Sequence, residues 1–226
     1  MKIGILQTGH LPDEMLETTG DYAALFARLL DGHGFTFQTW NVVDNDLPDG
    51  AEQADAWLIT GSKHGAYEDH PWIKPLETLI RDIAAADLPM VGICFGHQIV
   101  AQALGGVVQK FDGGWAIGRQ SYDMDGTPLL LNAWHQDQVT TRPKGARVLA
   151  SNAFCENAIL AYGDHILTIQ PHPEFAASEI QSLLEQRAPG VVPDPLIKEA
   201  TADLPKPVDN KAVSLKMASV LKGEKI

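Results

Sequence analysis

The segment LPMVGICFGHQIVAQALGG, Leu88 to Gly106, decides the fold class because it contains a strand, a turn and a helix in direct succession. The run LPMVGIC is continuously apolar, which is typical of a strand buried in a parallel sheet. HQIVAQA predicts a short helix that the following glycine pair closes. Between them, Gly92-x-Cys94-x-Gly96 has the form of a nucleophile elbow, a tight strand-to-helix turn. The stretch therefore predicts one strand–helix step of a parallel sheet with a cysteine on the turn.

The same alternation of strands and helices extends toward the N-terminus. KIGILQT and ADAWLITGS predict buried strands, and FTFQTWNVV alternates with the period of a strand. A helix is predicted for DYAALFARLLDGHG with Asp21 as its N-cap, and another for PWIKPLETLIRDIAAAD. The apolar residues of the second helix share one face: Ile73, Leu76, Leu79, Ile80 and Ile83. This βαβαβα order predicts an α/β fold with a mostly parallel open sheet and helices on both faces, of the flavodoxin-like kind.

The second half of the chain changes character. Short strands and turn residues follow one another closely, which predicts antiparallel strands added to the same sheet. From Ala177 onward the chain reads as polar helices separated by the proline-rich breaks APGVVPDP and DLPKPVDN. We therefore expect a catalytic domain over residues 1–180 and a helical C-terminal extension, residues 181–226, packed on the same domain.

Composition narrows the class of protein. The 226 residues are 45% hydrophobic and 20% charged, as expected for a globular chain with a sizeable core. The net charge of -12 argues against a nucleic-acid partner. No apolar segment reaches membrane-spanning length, and the N-terminus reads as a strand, so we expect a cytoplasmic protein without membrane contact. Two cysteines, Cys94 and Cys155, make neither a disulfide framework nor a four-cysteine metal site.

Two interpretations of Cys94 are open from the elbow alone. In the first, it is a small buried residue at an ordinary turn. In the second, it is a nucleophile, because the helix dipole favours a thiolate and the free N–H of Phe95 can donate to an oxyanion. The glycines at positions 92 and 96 would provide the clearance that such a tight turn needs.

A candidate base follows another apolar run. LTIQPHPEF places His172 and Glu174 on the same face of an extended chain, so that the carboxylate can orient the imidazole. Pro171 and Pro173 hold the backbone extended and remove ladder donors, which predicts that the segment leaves the sheet there. The coincidence of cysteine, histidine and glutamate favours the nucleophile interpretation of Cys94.

The elbow GICFGHQ, the HPE box and the segment WHQDQVTTRPKGARVLASN together resemble the class I, triad-type glutamine amidotransferases over residues 1–180. The resemblance implies a Cys-His-Glu triad that hydrolyses a γ-glutamyl amide through a thioester. Cys94 would be the nucleophile, His172 the base and acid, and Glu174 its orienting partner. We expect no cofactor.

The resemblance also implies residues around the triad. The loop TGSKHG matches the family's oxyanion loop, so an N–H of Gly61 or Ser62 would pair with that of Phe95. Contacts to the glutamyl group are implied for four residues: Gln98, His135, Gln136 and Asp137.

Two departures from the family pattern bear on the substrate. Pro171 stands where many members have an aromatic residue, and GSKHG stands where many have GGP. The loop is closer to a stand-alone branch related to the glutaminase domain of GMP synthase, some members of which are γ-glutamyl peptidases. We therefore expect a hydrolase of a small γ-glutamyl substrate, glutamine or a related compound. The alternatives are a glutaminase subunit that delivers ammonia to a separate synthetase partner, and a non-catalytic binding module on the same fold.

Four further residues have weaker signals. His64 and His70 flank GAYED and suggest metal ligation together with Asp69, but polar loops with two histidines are common and we expect no metal. His97, in the elbow helix, is expected to pack or hydrogen-bond rather than to catalyse.

Overall fold

The computed structural model of the protein describes residues 1–226 and is built around one central sheet. Its strands are β1 Lys2–Leu6, β2 Thr36–Trp40, β3 Ala56–Ile59, β4 Met90–Ile93, β9 Arg147–Ala150, β10 Ile159–Tyr162 and β11 Ile166–Ile169. The seven strands lie in the order β2-β1-β3-β4-β11-β10-β9. From β2 to β11 all pairs are parallel, whereas β10 runs antiparallel to both of its neighbours. The predicted α/β class with a mostly parallel sheet is confirmed, and its 2-1-3-4 beginning is the flavodoxin-like order.

Helices cover both faces of this sheet. They are α1 Asp13–Thr19, α2 Tyr22–Leu29, α3 Ile73–Ala85, α4 Phe95–Ala103, α5 Ala177–Gln186, α6 Asp194–Asp203 and α7 Asn210–Leu221. Two single 3₁₀ turns lie at Val42–Asp44 and Ala51–Gln53. Alternate residues of β3 enter two separate hydrophobic clusters: Leu58 packs with α2, α5 and α7, and Trp57 with α3 and α4. Burial on both faces explains why the parallel strands are continuously apolar.

The structure confirms the apolar face predicted for α3 and the N-cap predicted for α2. The five apolar residues predicted for one face of α3 are all buried. The Asp21 carboxylate accepts a 2.8 Å hydrogen bond from the N–H of Tyr22 and so caps α2. Helix α1 has no counterpart among the predicted elements.

The expectation that all antiparallel strands join the main sheet is wrong for four of them. These strands are β5 Val107–Lys110, β6 Ala116–Met124, β7 Thr127–His135 and β8 Asp137–Thr141. They form two separate two-stranded sheets, β5–β8 and β6–β7. Asp125 and Gly126 both have positive φ, 50° and 80°, which closes β6 and β7 into a two-residue hairpin whose strands pair with each other.

The C-terminal helices pack against the body of the chain. Helix α7 lies against β4 and β11. Leu183 of α5 and Met217 of α7 belong to the same hydrophobic cluster as Ile3 of β1. The division expected at residue 180 lies within α5 and stays a prediction.

The carboxyl ends of β1, β3, β4 and β11 meet at one edge of the sheet, which is where ligands bind in open α/β folds. No helix combines the length and the apolar character needed to cross a membrane.

Candidate active site

Cys94 lies on the turn between β4 and α4 in a backbone conformation that residues other than glycine rarely adopt. Its φ is 51° and its ψ is -99°, and a strained backbone of this kind costs about 1–3 kcal/mol. The two glycines permit the turn by steric necessity. A Cβ on Gly92 would lie 2.6 Å from the carbonyl oxygen of Gly96, and one on Gly96 would lie 2.4 Å from that of Ile59. The predicted elbow is therefore present, with the glycine requirement that the sequence indicates.

Backbone hydrogen bonds hold the elbow in place and leave the N–H of Phe95 without a backbone acceptor. The N–H of Cys94 donates to the Ile169 carbonyl at 2.8 Å, and the Cys94 carbonyl accepts from Gln98 N–H at 3.0 Å. The Gln170 amide lies 3.6 Å from the Cys94 sulfur. The N–H of Phe95, at the start of α4, has no backbone acceptor within the fold, as expected for the first donor of a helix.

His172 and Glu174 form a buried pair beside Cys94. The imidazole Nδ1 donates to Oε1 of Glu174 at 2.7 Å, and the two side chains are 3% and 0% exposed. The N–H of His172 donates to the Asn132 carbonyl at 2.8 Å, so the segment leaves the main ladder as predicted and pairs with β7 instead. The Phe175 ring stacks on the imidazole at 4.2 Å and 8°. These contacts determine the orientation of the ring, and Nε2 remains as the nitrogen available to the thiol.

The charge of this pair follows from its surroundings. Burial disfavours the imidazolium, but the electrostatic interaction with Glu174, then that with Cys94, and the hydrogen bonds to both outweigh it and raise the pKa of His172 to about 10. At neutral pH the site therefore favours the imidazolium form of His172, which is the proton donor that a cysteine–histidine pair needs for its leaving group.

The loop after β3 contacts the same imidazole. A Cβ on Gly61 would lie 3.1 Å from Cε1 of His172 and 3.3 Å from the hydroxyl of Tyr22. The loop is tied to the elbow because Gly96 N–H donates to the Thr60 carbonyl at 3.1 Å. The segment expected to supply oxyanion donors, Gly61 and Ser62, thus lies next to the catalytic histidine candidate.

His135 ends strand β7 and is buried as a neutral imidazole. Its Nδ1 donates to the Asp137 carbonyl at 3.2 Å, and its Nε2 is buried without a partner. Burial, followed by the charge of His172, lowers the pKa of His135 to about 3. An unprotonated Nε2 in this position is a hydrogen-bond acceptor without a donor in the protein.

Gln98 is engaged within the protein. Its amide Nε2 donates to the Asp137 carbonyl at 3.0 Å and to Oε1 of Gln170 at 3.1 Å. Both of its donors are therefore used, and only its oxygen remains free to contact a ligand.

A cavity of about 450 Å³ connects these groups. Seven of the ten residues singled out for the site line it: Ser62, Cys94, Gln98, His135, Gln136, Asp137 and His172. The other three, Gly61, Phe95 and Glu174, lie behind its wall. Trp115 and Trp134 line the cavity as well, with ring centroids 6.4 Å apart.

Two side chains at the site were missed from the sequence. Gln170 reaches both Cys94 and Gln98; its place two residues before His172, on the same face of the strand, is a signal that could have identified it. Tyr22 lines the cavity and stacks on Phe175 at 6.2 Å. No motif in the sequence marks Tyr22.

Cys155 and His97 are both buried, and neither is expected to react. Cys155 is buried, and burial raises the pKa of its thiol to about 12, so it stays protonated. His97 is fully buried with Nδ1 2.8 Å from the Thr168 hydroxyl, which fits the packing role expected for it.

The family model for glutamine amidotransferase class-I matches residues 32–188, which include the elbow and the HPE box. The chain belongs to the class I glutamine amidotransferase family. This membership confirms the family expected from the motifs.

Three curated relatives show the breadth of the family. A glutamine amidotransferase-like protein of Schizosaccharomyces pombe is 30% identical, covering 97% of this chain and 98% of its own. Gamma-glutamyl peptidase 4 of Arabidopsis thaliana is 31% identical over 70% of each chain. A glutamine-hydrolysing GMP synthase subunit of Halobacterium salinarum is 29% identical, covering 73% of this chain and 90% of its own. This class I member is accordingly a glutamine amidotransferase-like hydrolase.

The fold has a close counterpart among solved structures. A glutamine amidotransferase from Methylobacillus flagellatus superimposes with a TM-score of 0.77 over 98% of this chain and 92% of its own, at 23% identity. The C-terminal helices therefore lie within a fold that the family already contains.

Proposed function

We propose that this class I member hydrolyses a γ-glutamyl amide through a thioester on Cys94. The observation that carries the proposal is the buried set of Cys94, His172 and Glu174, of which Cys94 and His172 line one cavity and Glu174 lies behind His172. The strained elbow presents the sulfur, and the 2.7 Å bond to Glu174 orients the imidazole.

The first half-reaction forms the thioester. The Cys94 thiolate attacks the side-chain carbonyl carbon, and the C=O electron pair moves to oxygen. The N–H of Phe95, together with that of Gly61 or Ser62, stabilises this oxyanion. The imidazolium of His172 then gives its Nε2 proton to the leaving nitrogen, the C–N bond breaks, and ammonia or an amine departs.

The second half-reaction releases the acid. Neutral His172 takes a proton from water, and the resulting hydroxide adds to the thioester carbonyl. Collapse of this second intermediate breaks the C–S bond and expels the Cys94 thiolate. His172 keeps the proton that it took from water, so release of the thiolate restores the starting thiolate–imidazolium pair, and Glu174 orients the imidazole throughout.

The glutamyl half would bind next to His135, Gln136 and Asp137. The buried acceptor Nε2 of His135 suits a donor such as the α-ammonium of the substrate. Gln98 would contact the glutamyl group through its oxygen, because its donors are engaged.

The size of the cavity favours a γ-glutamyl peptide or another extended amide over glutamine alone. About 450 Å³ lies in the range of sites for ligands larger than an amino acid. The relative named as a γ-glutamyl peptidase supports the same substrate class.

The test is a hydrolysis screen of the purified protein on glutamine and a panel of γ-glutamyl peptides and amides, with Cys94→Ala as the control. We expect turnover of at least one substrate and none by the variant. Alkylation by a glutamine-like chloroketone should place an adduct on Cys94. A protein that hydrolyses nothing in the panel and forms no adduct would instead be a non-catalytic binding module.

The second candidate is a glutaminase subunit that hands ammonia to a synthetase. It is favoured by the relative named as a subunit of GMP synthase. Co-purification followed by a glutaminase assay separates the two functions. Glutamine hydrolysis that rises only with a captured synthetase supports the ammonia-delivering role, whereas hydrolysis by the isolated chain supports the free-standing hydrolase.

We further propose that residues 181–226 are an extension of the catalytic domain rather than a domain of their own. The support is the shared cluster in which Leu183 and Met217 pack with Ile3 of the first strand. Truncation after residue 180 should then give a chain that does not fold, as circular dichroism would show.

A further inference from the structure

Three side chains of the loop after β3 converge at the mouth of the cavity. Nδ1 of His64 lies 3.4 Å from Oε2 of Glu68, and Nε2 of His70 lies 2.7 Å from the same oxygen. One ligand atom from each residue lies within 4.8 Å of the other two. His64 and Glu68 also line the cavity. The neighbouring Asp69, which the sequence suggested as a ligand, is not part of this cluster.

Two imidazoles and one carboxylate are a ligand set that Zn²⁺ and related first-row ions accept. In a tetrahedral site with bonds of about 2.0–2.2 Å, ligand atoms are separated by about 3.3 Å. The two separations to Glu68 bracket this value, and the ligand nitrogens of His64 and His70 lie within 4.8 Å of each other. A fourth position would face the cavity and could hold water.

The imidazoles are held in place without a metal. The His70 ring stacks on Trp72 at 5.6 Å and 4°, and Trp72 is only 3% exposed. The His64 ring meets that of His70 edge-on at 4.2 Å. Rings already positioned lose less freedom when they bind an ion.

We propose that His64, Glu68 and His70 bind a divalent first-row metal ion, of which Zn²⁺ is the type, at the mouth of the active-site cavity. This site is separate from the triad and does not depend on the proposed hydrolysis. It departs from the expectation of no metal, which rested on polar loops with two histidines being common.

The test uses Co²⁺ as a spectroscopic probe, because Zn²⁺ and Co²⁺ take similar ligands and a Co–thiolate bond has a characteristic charge-transfer band. Chelator-treated Cys94→Ala protein should bind one Co²⁺ and show ligand-field bands without the thiolate band. His70→Ala should lose more than the roughly 10–100-fold in affinity that removal of an outer partner costs. Asp69→Asn is the matched control, since it removes an adjacent charge outside the cluster, and its affinity should be unchanged.

Thermal unfolding gives a second readout. Added Co²⁺ should raise the Tm of Asp69→Asn but not that of His70→Ala, because only an ion that binds the folded state stabilises it. Equal Tm values of the variants without metal exclude misfolding. The proposal is overturned if Cys94→Ala abolishes binding, or if His70→Ala and Asp69→Asn bind Co²⁺ equally.

Discussion

Two histidine–glutamate pairs in this molecule are nearly identical as pairs and differ in their surroundings. In each, the residues are two positions apart, and the N–O distance is 2.7 Å in both. The side chains of His172 and Glu174 are 3% and 0% exposed, whereas those of His70 and Glu68 are 32% and 42% exposed. We call His172 and Glu174 the inner pair, which faces Cys94. His70 and Glu68 are the outer pair, which faces solvent at the mouth of the cavity.

Burial, not contact distance, sets the strength of such a pair. With little water to screen it, the inner pair shifts the pKa of His172 to about 10. Exposed pairs with the same geometry contribute at most about 1 kcal/mol. The inner pair can therefore hold a charge next to the Cys94 sulfur, and the outer pair would exchange its hydrogen bonds for the proposed metal ion.

The largest expected effect tests whether the inner pair serves Cys94. Cys94→Ala should lower kcat/KM for any γ-glutamyl amide that the protein turns over by about 10⁴-fold or more, because the nucleophile is gone. Steady-state kinetics on the best substrate of the screen measures it, with circular dichroism as the fold control. Activity within tenfold of the native protein would remove the basis for a catalytic inner pair.

Next in size is the loss of the carboxylate in the inner pair. Glu174→Gln should lower kcat by about 10²–10⁴-fold, since an amide orients the imidazole less well and does not stabilise its charge. The pKa of His172 should fall, as followed by NMR titration of the ring protons. An unchanged pKa would mean that Glu174 is not the main cause of the raised pKa of His172.

The backbone around the two regions should respond differently to one added methyl group. Gly96→Ala, at the elbow, should cost about 3 kcal/mol or more in the free energy of unfolding, because its Cβ would lie 2.4 Å from the carbonyl oxygen of Ile59. Gly65→Ala, at the mouth, should cost about 1 kcal/mol or less, because the nearest atoms to its Cβ, at 2.9 Å and beyond, belong to the ring of the half-exposed Tyr67, which can move. Urea denaturation measures both, and similar values would show that the elbow can relax.

The pH dependence of stability should also distinguish the pairs. The pKa of His172 is raised above its unfolded value of 6.5, so its contribution is fully present below pH 6.5 and is lost as the pH rises through about 10. The free energy of unfolding of native protein should therefore fall more steeply between pH 7 and 10 than that of Glu174→Gln. Parallel pH profiles would contradict a charged inner pair.

The smallest effect is expected at the outer pair. Glu68→Gln in chelator-containing buffer should lower the free energy of unfolding by less than about 1 kcal/mol, because solvent screens the exposed carboxylate. Added salt should reduce even this difference. A loss of several kcal/mol would show that burial is not what separates the two pairs.

Much of the site could be predicted because its signals are local. The glycine at position 92 meets a steric need of the Cys94 turn itself, the glycine at position 96 completes the local motif, and the alternation in HPE reports the period of an extended chain. For the same reason, the apolar face of α3 and the Asp21 N-cap of α2 could be predicted from neighbouring residues. The separate β6–β7 hairpin was missed because which strand pairs with which is not a local property.

The order of residues alone specifies the buried strands and helices, the Gly92-x-Cys94-x-Gly96 elbow and the His172-x-Glu174 alternation, since each follows from interactions within a few positions of the chain. That His172 lies beside Cys94 is set by the tertiary structure, because β4 and β11 are distant in sequence and pair only in the folded sheet. The surroundings of the triad come from packing between distant segments, which brings Tyr22 and Gln170 to Cys94 across long stretches of chain. In the irregular loop after β3 no periodicity indicates whether Glu68 or Asp69 faces the two histidines. The ring of Trp72, packed at 5.5 Å from Phe95, supports that loop from the core and holds the His70 ring toward Glu68.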